Sequence, residues 1–140
     1  MTVLDTNYLI YLLRHKEAAD VADYYTDPKT TTITLFELYY GAMRSVKQEK
    51  SIAQIKSLLK SVDLLAFDKS AAEKAAEIQT RLVNSGEPID IQDVLIAGIV
   101  VSNNEELITS DIDHFRRIPG LKCSPYIKMI MEDKTKYNIS

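Results

Sequence analysis

The sequence predicts an α/β fold in which a central parallel sheet is covered by helices on both faces. Short apolar or β-branched runs alternate with longer segments of helical spacing along almost the whole chain, and such alternation is typical of parallel sheets. Of the 140 residues, 46% are hydrophobic and 26% are charged, as in ordinary globular domains. Because no linker-like tract divides the chain, we predict one three-layer α/β/α domain.

Strand and helix alternate through the first half of the chain. The predicted elements there are a strand at residues 2–4, a helix with an apolar face over Tyr8–Leu13, a helix at Lys16–Tyr25, a strand at Thr30–Ile33, a helix from Thr34, and a helix that carries Ile52, Ile55, Leu58 and Leu59. The strands are predicted from β-branched and apolar runs, and the helices from apolar residues at helical spacing.

The second half continues the pattern and contains the most apolar helix. Its predicted elements are a strand at Val62–Phe67, an Ala-rich helix capped by Asp68 or Ser70 and closed at Ser85-Gly86, a helix opened by Asp90 to Asp93, a strand at Leu107–Thr109, a turn or short helix at Ser110–Phe115, and a strand at Leu121–Ser124. Residues 94–101 are mostly apolar, so we expect that helix to be buried. We assign residues 1–124 to the domain and residues 125–140 to a C-terminal helix or tail of the same domain.

Composition argues against several classes of protein. The net charge is −3, from 17 basic and 20 acidic residues, so nucleic-acid binding would need a local site instead of a generally basic surface. The single cysteine, Cys123, excludes an internal disulfide and a cysteine-rich zinc site, and we expect it to be a small buried residue. Without a leader pattern or a run of about 20 apolar residues, we expect a soluble, cytoplasmic protein with no membrane partner.

Four acidic residues stand where predicted strands and helices meet. They are Asp5 after the first strand, Glu37 one turn into a helix, Asp93 at the start of the apolar helix, and Asp111 after the strand at Leu107–Thr109. In an open α/β sheet, sites form outside the carboxyl ends of the strands. Mg²⁺ and Mn²⁺ prefer oxygen ligands, and crowded carboxylates repel one another unless a cation lies between them. A metal site is therefore one hypothesis for these four residues.

Each acid also has a purely structural interpretation. Asp5 could cap the first helix. Thr34 and Glu37 match a capping box in which the Glu37 side chain accepts a hydrogen bond from the Thr34 amide. Asp90 and Asp93 could form a similar capping box at the next acidic pair. Asp93 is harder to explain in this way, because it precedes an apolar segment and we expect it to be largely buried, where a carboxylate needs a partner. Spacing alone leaves both interpretations open.

Four segments carry motifs in a fixed order. They are Val3-Leu4-Asp5-Thr6-Asn7, Thr34-Leu35-Phe36-Glu37-Leu38-Tyr39-Tyr40-Gly41, Asp93-Val94-Leu95-Ile96-Ala97, and Thr109-Ser110-Asp111 with His114-Phe115 and Ile118-Pro119-Gly120-Leu121. In this order the segments resemble the motifs of PIN-domain ribonucleases, and most closely those of VapC-type toxins from toxin–antitoxin pairs. Each motif is weak alone, but the ordered set runs from residue 3 to about residue 123 and is specific.

The resemblance implies a PIN-like fold, a metal and a reaction. The family's acidic residues carry over onto Asp5, Glu37, Asp93 and Asp111, as catalytic residues and ligands of Mg²⁺ or Mn²⁺. The polar positions beside those acids carry over onto Thr6, Asn7 and Thr109, which would orient ligands or water. Asp90 would be an outer ligand or, as we favour, only the helix cap. The implied reaction is hydrolysis of an RNA phosphodiester by metal-activated water.

The resemblance also implies protein partners. VapC-type toxins are homodimers that a cognate antitoxin neutralises, and the antitoxin's C-terminal segment lies near the acidic site. An apolar surface for that segment is predicted from Tyr39, Tyr40, Met43, Ile52, Ile55 and Leu59. Arg116 and Arg117 are candidates to guide the RNA backbone towards the metal, as are Arg14 and Arg44. We expect His114 to face solvent or to stabilise a turn and not to act as a general base.

Three alternatives stay open at the level of sequence. The chain could be an acidic receiver or phosphotransfer domain in which one aspartate accepts phosphate, although that class would not use Glu37 and Asp93 as ligands. It could be a PIN-like RNA-processing or binding module without a toxin role, or a nuclease of RNA maturation or repair. The target RNA does not follow from the residues, because RNA recognition depends on loop shape and stacking surfaces.

Overall fold

The computed structural model describes residues 2–14, 25 and 27–125. Its strands are β1 (Thr2–Leu4), β2 (Pro28–Thr31), β3 (Asp63–Leu65), β4 (Glu106–Ile108) and β5 (Lys122–Ser124). Its helices are α1 (Thr6–Arg14), α2 (Thr32–Met43), α3 (Gln48–Leu58), α4 (Lys69–Asn84), α5 (Ile91–Ser102) and the one-turn α6 (Ile112–Phe115). The predicted helix at Lys16–Tyr25 and the predicted helix or tail at 125–140 fall almost entirely outside the described residues.

The five strands form one parallel sheet in the order β3-β2-β1-β4-β5. In the central strand, Val3 pairs with Lys29 of β2 on one side and with Leu107 of β4 on the other. The chain builds outwards from β1 to β3 and then returns to the other side of β1 for β4 and β5. The switch between β1 and β4 opens a crevice at their carboxyl ends, where ligands bind in sheets of this kind.

The sheet separates two hydrophobic cores, because alternate residues of a strand point to opposite faces. Leu4 and Ile108 pack with α1, α2 and α3 on one face, and Val3 and Leu107 pack with α4, α5 and α6 on the other. Cys123 contacts the second core but is only partly buried, less than we expected from the sequence. The predicted α/β class and its three layers are confirmed.

Helix α5 is buried, as its apolar sequence predicts. Its residues 96–100 are all buried, and it packs closely against α4. A Cβ atom on Gly98 would lie 2.7 Å from the Ala71 carbonyl oxygen and 2.8 Å from the Ala75 Cβ, so small residues set the distance between the two helices. This packing fixes the first turn of α5, which carries Asp93. None of the described helices is long and apolar enough to cross a membrane.

The boundary between β2 and α2 differs from the prediction. The strand ends at Thr31, whose hydroxyl accepts a 3.0 Å hydrogen bond from the Thr34 amide and caps α2. The continuous β-branched run concealed this cap, so the predicted strand Thr30–Ile33 extends too far. The predicted capping box is also wrong, because Thr34 and Glu37 both lie inside the helix.

The other strand boundaries differ by one or two residues. The predicted strand at Val62–Phe67 is only three residues long, β4 ends before Thr109, and β5 begins at Lys122. Asp68 caps α4 by accepting a 2.9 Å hydrogen bond from the Ala71 amide, which decides between the two predicted caps. Because β1 and β4 are neighbouring parallel strands that end in register, the polar residues that follow them lie together at the carboxyl end of the sheet.

Candidate active site

A cavity of about 620 Å³ opens at the carboxyl ends of β1 and β4. All four acidic residues singled out by the sequence line it, namely Asp5, Glu37, Asp93 and Asp111. The rest of the wall comes mainly from α1, α2, α5 and α6, through Thr6, Asn7, Ile10, Phe36, Tyr40, Gly41, Arg44, Gln92, Ile96 and Phe115. The fold therefore brings together carboxylates from four separate segments of the chain.

Asp5 is the most buried of the four acids, with 5% of its surface exposed. Its Oδ1 accepts a 2.8 Å hydrogen bond from the Tyr8 amide, which caps α1, and its Oδ2 accepts a 2.5 Å hydrogen bond from the Thr109 hydroxyl. The Thr109 hydroxyl also accepts a 3.0 Å hydrogen bond from the Asp111 amide. Since each carboxylate oxygen has two lone pairs, Asp5 can cap the helix and still bind a cation.

Threonine hydroxyls orient Glu37. The Thr6 Oγ1 lies 2.9 Å from Glu37 Oε1 and 3.1 Å from Thr34 Oγ1, which in turn lies 3.2 Å from Thr31 Oγ1. A hydroxyl has a single proton to donate. All three contacts are therefore hydrogen bonds when Thr31 donates to Thr34, Thr34 to Thr6, and Thr6 to Glu37. This chain connects the cap of α2 to an acid of the cavity.

His114 contacts Asp93, which the sequence did not lead us to expect. The His114 Nε2 lies 2.9 Å from Asp93 Oδ2, and Arg117 Nη2 lies 3.3 Å from His114 Nδ1. The prediction that His114 faces solvent is therefore wrong, whereas its contact with Arg117, three residues later, agrees with the predicted turn-stabilising role. Asp93 is also less buried than predicted, since 29% of its side chain is exposed. The spacing of three residues between Asp111 and His114 was the available signal, because it places both on one side of a helical turn.

The two contacts of His114 are both hydrogen bonds in only one neutral tautomer. A guanidinium group can only donate hydrogen bonds, so Nδ1 of His114 accepts from Arg117. The ring proton then lies on Nε2 and is donated to Asp93. His114 thereby gives the Asp93 carboxylate a directional partner on α6, in the way that residues around metal ligands commonly orient them.

We expect NMR spectra of the metal-free protein to show His114 as the Nε2–H tautomer. The chain has only two histidines, His15 and His114, so a His15→Gln variant assigns the imidazole signals. Arg117→Met removes the donor to Nδ1 and should increase the fraction of the other tautomer. Arg116→Met, a neighbouring arginine without this contact, is the matched control. A predominantly Nδ1–H ring in the wild-type chain would contradict the hydrogen-bond directions given above.

The remaining predicted residues take different positions. Asp111 and Asn7 are exposed at the cavity. Asp90 occupies the predicted N-cap position of α5, but its side chain does not make the capping hydrogen bond that the prediction requires.

The predicted arginines differ in their position relative to the cavity. Arg116 lies 3.9 Å from exposed Asp113, which is a weak ion pair. Among the arginines that the structure describes, Arg44 lines this cavity, whereas Arg116 and Arg117 do not.

Burial and mutual repulsion raise the pKa of three of the acids above its ordinary value. The three are Asp5, Glu37 and Asp93, and removal from water is the largest cause for each. The negative charges of neighbouring acids raise each pKa further. Hydrogen bonds from Thr109 to Asp5, from Thr6 to Glu37 and from His114 to Asp93 oppose the rise. A positive charge in the cavity would therefore be stabilising.

The donor set suits a hard divalent cation that keeps part of its water. Within residues 2–14, 25 and 27–125, no three Asp, Glu, His or Cys side chains already have positions that would hold one ion together. Mg²⁺ usually binds one or two carboxylates together with water and substrate phosphate, so three protein ligands in contact are not required. The carboxylate oxygens, their unfavourable charge and the space for water all fit such an ion.

The apolar surface predicted for a partner is exposed only on α2. Tyr40 and Met43 are 55% and 57% exposed, and neighbouring Phe36 is 62% exposed. The residues predicted from the following helix pack instead in the core with α1 and α2, as does Tyr39; they are Ile52, Ile55 and Leu59. Ile55 is buried, so the prediction is wrong for that residue, whereas Ile52, Leu59 and Tyr39 are only partly buried and their part in a partner surface stays a prediction.

Relatives of known activity match nearly the whole chain. The PIN domain family matches residues 2–121. The tRNA(fMet)-specific endonuclease VapC of Shigella flexneri is 30% identical over 123 residues, which are 86% of this chain and 93% of the relative. Ribonuclease VapC1 of Haemophilus influenzae strain R2866 is 30% identical over 131 residues, which are 90% of this chain and 98% of the relative.

Solved structures share the fold as well. VapBC2 from Rickettsia felis, bound to a DNA fragment from its promoter, superposes with a TM-score of 0.81 at 26% identity over 89% of this chain and 98% of that chain. VapBC-1 from nontypeable Haemophilus influenzae gives a TM-score of 0.78 at 30% identity over 89% and 96% of the two chains. The receiver-domain alternative is therefore wrong. The chain belongs to the PIN-domain family, and VapC ribonucleases are its homologues.

Proposed function

We propose that this chain is an endoribonuclease that hydrolyses RNA phosphodiester bonds with the help of Mg²⁺ or Mn²⁺, as the toxin of a toxin–antitoxin pair. The observation that carries the proposal is the convergence of Asp5, Glu37, Asp93 and Asp111 on one cavity at the switch point of the sheet. The similarity to VapC ribonucleases over most of the chain supports RNA as the substrate.

The four acids divide into two groups by the way the fold holds them. Asp5, Glu37 and Asp93 are the strongest candidates for metal ligands, because Thr109, Thr6 and His114 orient their carboxylates. Asp111, which is exposed, would complete the site directly or through water. When bound, the ion would activate water, polarise the phosphate and offset the charge that develops on it.

Thr6, Thr109 and His114 each hold one carboxylate in place, so that the acids need little rearrangement to meet an ion. Each donates its proton to an acid oxygen and leaves that acid further lone pairs. Pre-orientation of this kind is what partners of metal ligands provide.

A cognate antitoxin and a second copy of the chain are the proposed protein partners. The solved neighbours from Rickettsia felis and Haemophilus influenzae are VapBC structures. Tyr40 and Met43 are the exposed remainder of the surface predicted for an antitoxin. A homodimer and a cytoplasmic location remain predictions.

We expect added Mg²⁺ to raise the melting temperature, and to raise it more as the pH increases. The pKa values of Asp5, Glu37 and Asp93 are raised in the folded protein, so protonation of these acids stabilises the fold. This stabilisation is fully present below their ordinary pKa values of 3.8 for Asp and 4.5 for Glu. That stability is lost as the pH rises through the raised values of the folded protein. Metal binds the deprotonated acids, so Mg²⁺ should counteract the loss, by about 2.7 kcal/mol at a hundred times its Kd.

Calorimetry of the chain in EDTA and in Mg²⁺ at stepped pH measures this difference. Asp113→Asn is the matched control, because its side chain is 98% exposed and lies outside the cavity. That variant should give the wild-type difference, whereas Asp93→Asn should lose most of it. Superimposable curves in EDTA and in Mg²⁺ for the wild-type chain would count against a metal at these acids.

A further inference from the structure

We propose that Phe36, Tyr40 and Arg44 form a stacking platform that binds an unpaired base of the RNA substrate. These three side chains are called the α2 platform below. The inference rests on the proposed function, since it assigns the part of the substrate that lies next to the acidic residues. It concerns binding of a nucleobase and is separate from the chemistry at the carboxylates.

The three side chains form a column along α2. The rings of Phe36 and Tyr40 are stacked, with centroids 6.1 Å apart and planes at 12°. The Arg44 guanidinium carbon lies 5.1 Å from the centroid of the Tyr40 ring. Because the residues are spaced by four, successive helical turns bring them side by side. The column ends in a flat phenyl group at one end and a flat cation at the other.

The aromatic side chains of the α2 platform are exposed, whereas large aromatic side chains are normally mostly buried. Phe36 is 62% exposed and Tyr40 is 55% exposed, so the fold leaves two adjacent aromatic side chains in water. Exposed apolar surface of this extent, when it is contiguous and beside polar groups, commonly marks a binding site. The platform is not required for the core, since α2 contributes Leu38 and Ala42 to it instead.

The position of the platform points to the substrate. Phe36, Tyr40 and Arg44 line the same cavity as the four acids, and Phe36 precedes Glu37 directly. An RNA strand whose phosphate lies at the acids would therefore carry a neighbouring base past the platform. Single-stranded RNA is commonly recognised by stacking of splayed bases on aromatic rings or on arginine planes.

The charge of the molecule favours a base as the occupant. The chain has a net charge of −3, and the cavity wall holds four carboxylates, so phosphates gain little from long-range attraction. Stacking does not depend on charge and is tolerant of sequence, because every base has a π-face. Arg44 places a single cation at the end of the column, where it can contact a base or an adjacent phosphate. The flat rings of Phe36 and Tyr40 and the planar guanidinium of Arg44 are therefore suited to stacking against a base.

Binding of an oligoadenylate RNA of about 12 nucleotides tests the platform directly. The measurement uses the Asp93→Asn protein in Mg²⁺, so that the RNA is not cut, and compares it with the same protein carrying Phe36→Leu. We expect Phe36→Leu to weaken binding about tenfold, because it keeps an apolar side chain but removes the stacking face. An RNA of the same length without bases should bind weakly to both proteins, with little difference between them.

Two further variants separate loss of stacking from general effects. Tyr40→Phe keeps the ring and should bind the oligoadenylate as Asp93→Asn alone does. Phe67→Leu makes the same substitution at an aromatic residue that is 37% exposed outside the cavity, and it should have no effect.

Equal binding by the Phe36→Leu protein would overturn the platform, and so would an equal loss for the RNA without bases. Sedimentation of the same proteins provides an independent check. If Phe36→Leu dissociated an oligomer and left RNA affinity unchanged, the face would be a protein interface and the proposal would be wrong. These results are independent of whether the wild-type chain cuts RNA, so a failure of the platform is distinguishable from a failure of the proposed function.

Discussion

Replacing Asp93 by Asn should lower the rate of RNA cleavage about a thousandfold or more while the fold stays intact. Asparagine keeps the shape of the side chain and can still accept the hydrogen bond from His114, so α5 should not move. It lacks the negative charge that would hold a cation near the phosphate. Cleavage of a labelled RNA in Mn²⁺, followed over time for both proteins, measures the loss.

The same substitution should stabilise the metal-free chain. Burial and neighbouring acids raise the pKa of Asp93, so its ionised form is unfavourable in the folded protein without metal. Asp113→Asn, on the exposed side of α6, should change neither the cleavage rate nor the melting temperature. A fully active Asp93→Asn protein would remove Asp93 from the site, whereas an inactive protein with a lower melting temperature would indicate damage to the fold.

Replacing Gly98 by Ala should destabilise the fold by about 3 kcal/mol. The added methyl group would lie 2.7 Å from the Ala71 carbonyl oxygen and 2.9 Å from the Ala75 amide nitrogen. Both are backbone atoms of α4, so the clash is relieved only by moving one helix away from the other. Because α5 carries Asp93, this movement should also weaken Mg²⁺ binding. Unfolding in urea gives the change in free energy.

Gly41→Ala is the matched control, and its effect should have the opposite sign. A Cβ at Gly41 would meet no atom within 4 Å, and alanine in the interior of α2 should stabilise the helix by about 0.5–1 kcal/mol. A lower free energy of unfolding for Gly98→Ala and a higher one for Gly41→Ala would separate the effect of packing from the effect of helix propensity. If Gly98→Ala were as stable as the wild-type chain, the close contact between α4 and α5 would not determine the geometry of the site.

The parallel sheet and the buried helix could be predicted from sequence because both depend on local pattern. The apolar run of α5 and the capping-type residues after β1 are visible without knowledge of the fold. Sheet order was not visible in this way, since it depends on which strands pair across β1. The short strands also blur the boundaries, because a three-residue strand leaves little periodicity to detect.

The candidate site was predictable in its acids but not in the residues that orient them. Asp5, Glu37, Asp93 and Asp111 follow from their junction positions and from the family motifs. The contact of His114 with Asp93 joins α6 to α5 and depends on tertiary packing. The capping-box alternative for Glu37 was wrong, because Thr34 lies inside the helix and the Thr31 hydroxyl is the cap.

Cleavage of a panel of structured RNAs by the purified wild-type chain tests the central claim most directly. The chain should cut at least one RNA at defined internal positions in Mn²⁺ or Mg²⁺. Excess EDTA should abolish the cleavage, and renewed addition of the metal should restore it. Cleavage that persists undiminished in EDTA would contradict a metal-dependent site built from Asp5, Glu37, Asp93 and Asp111.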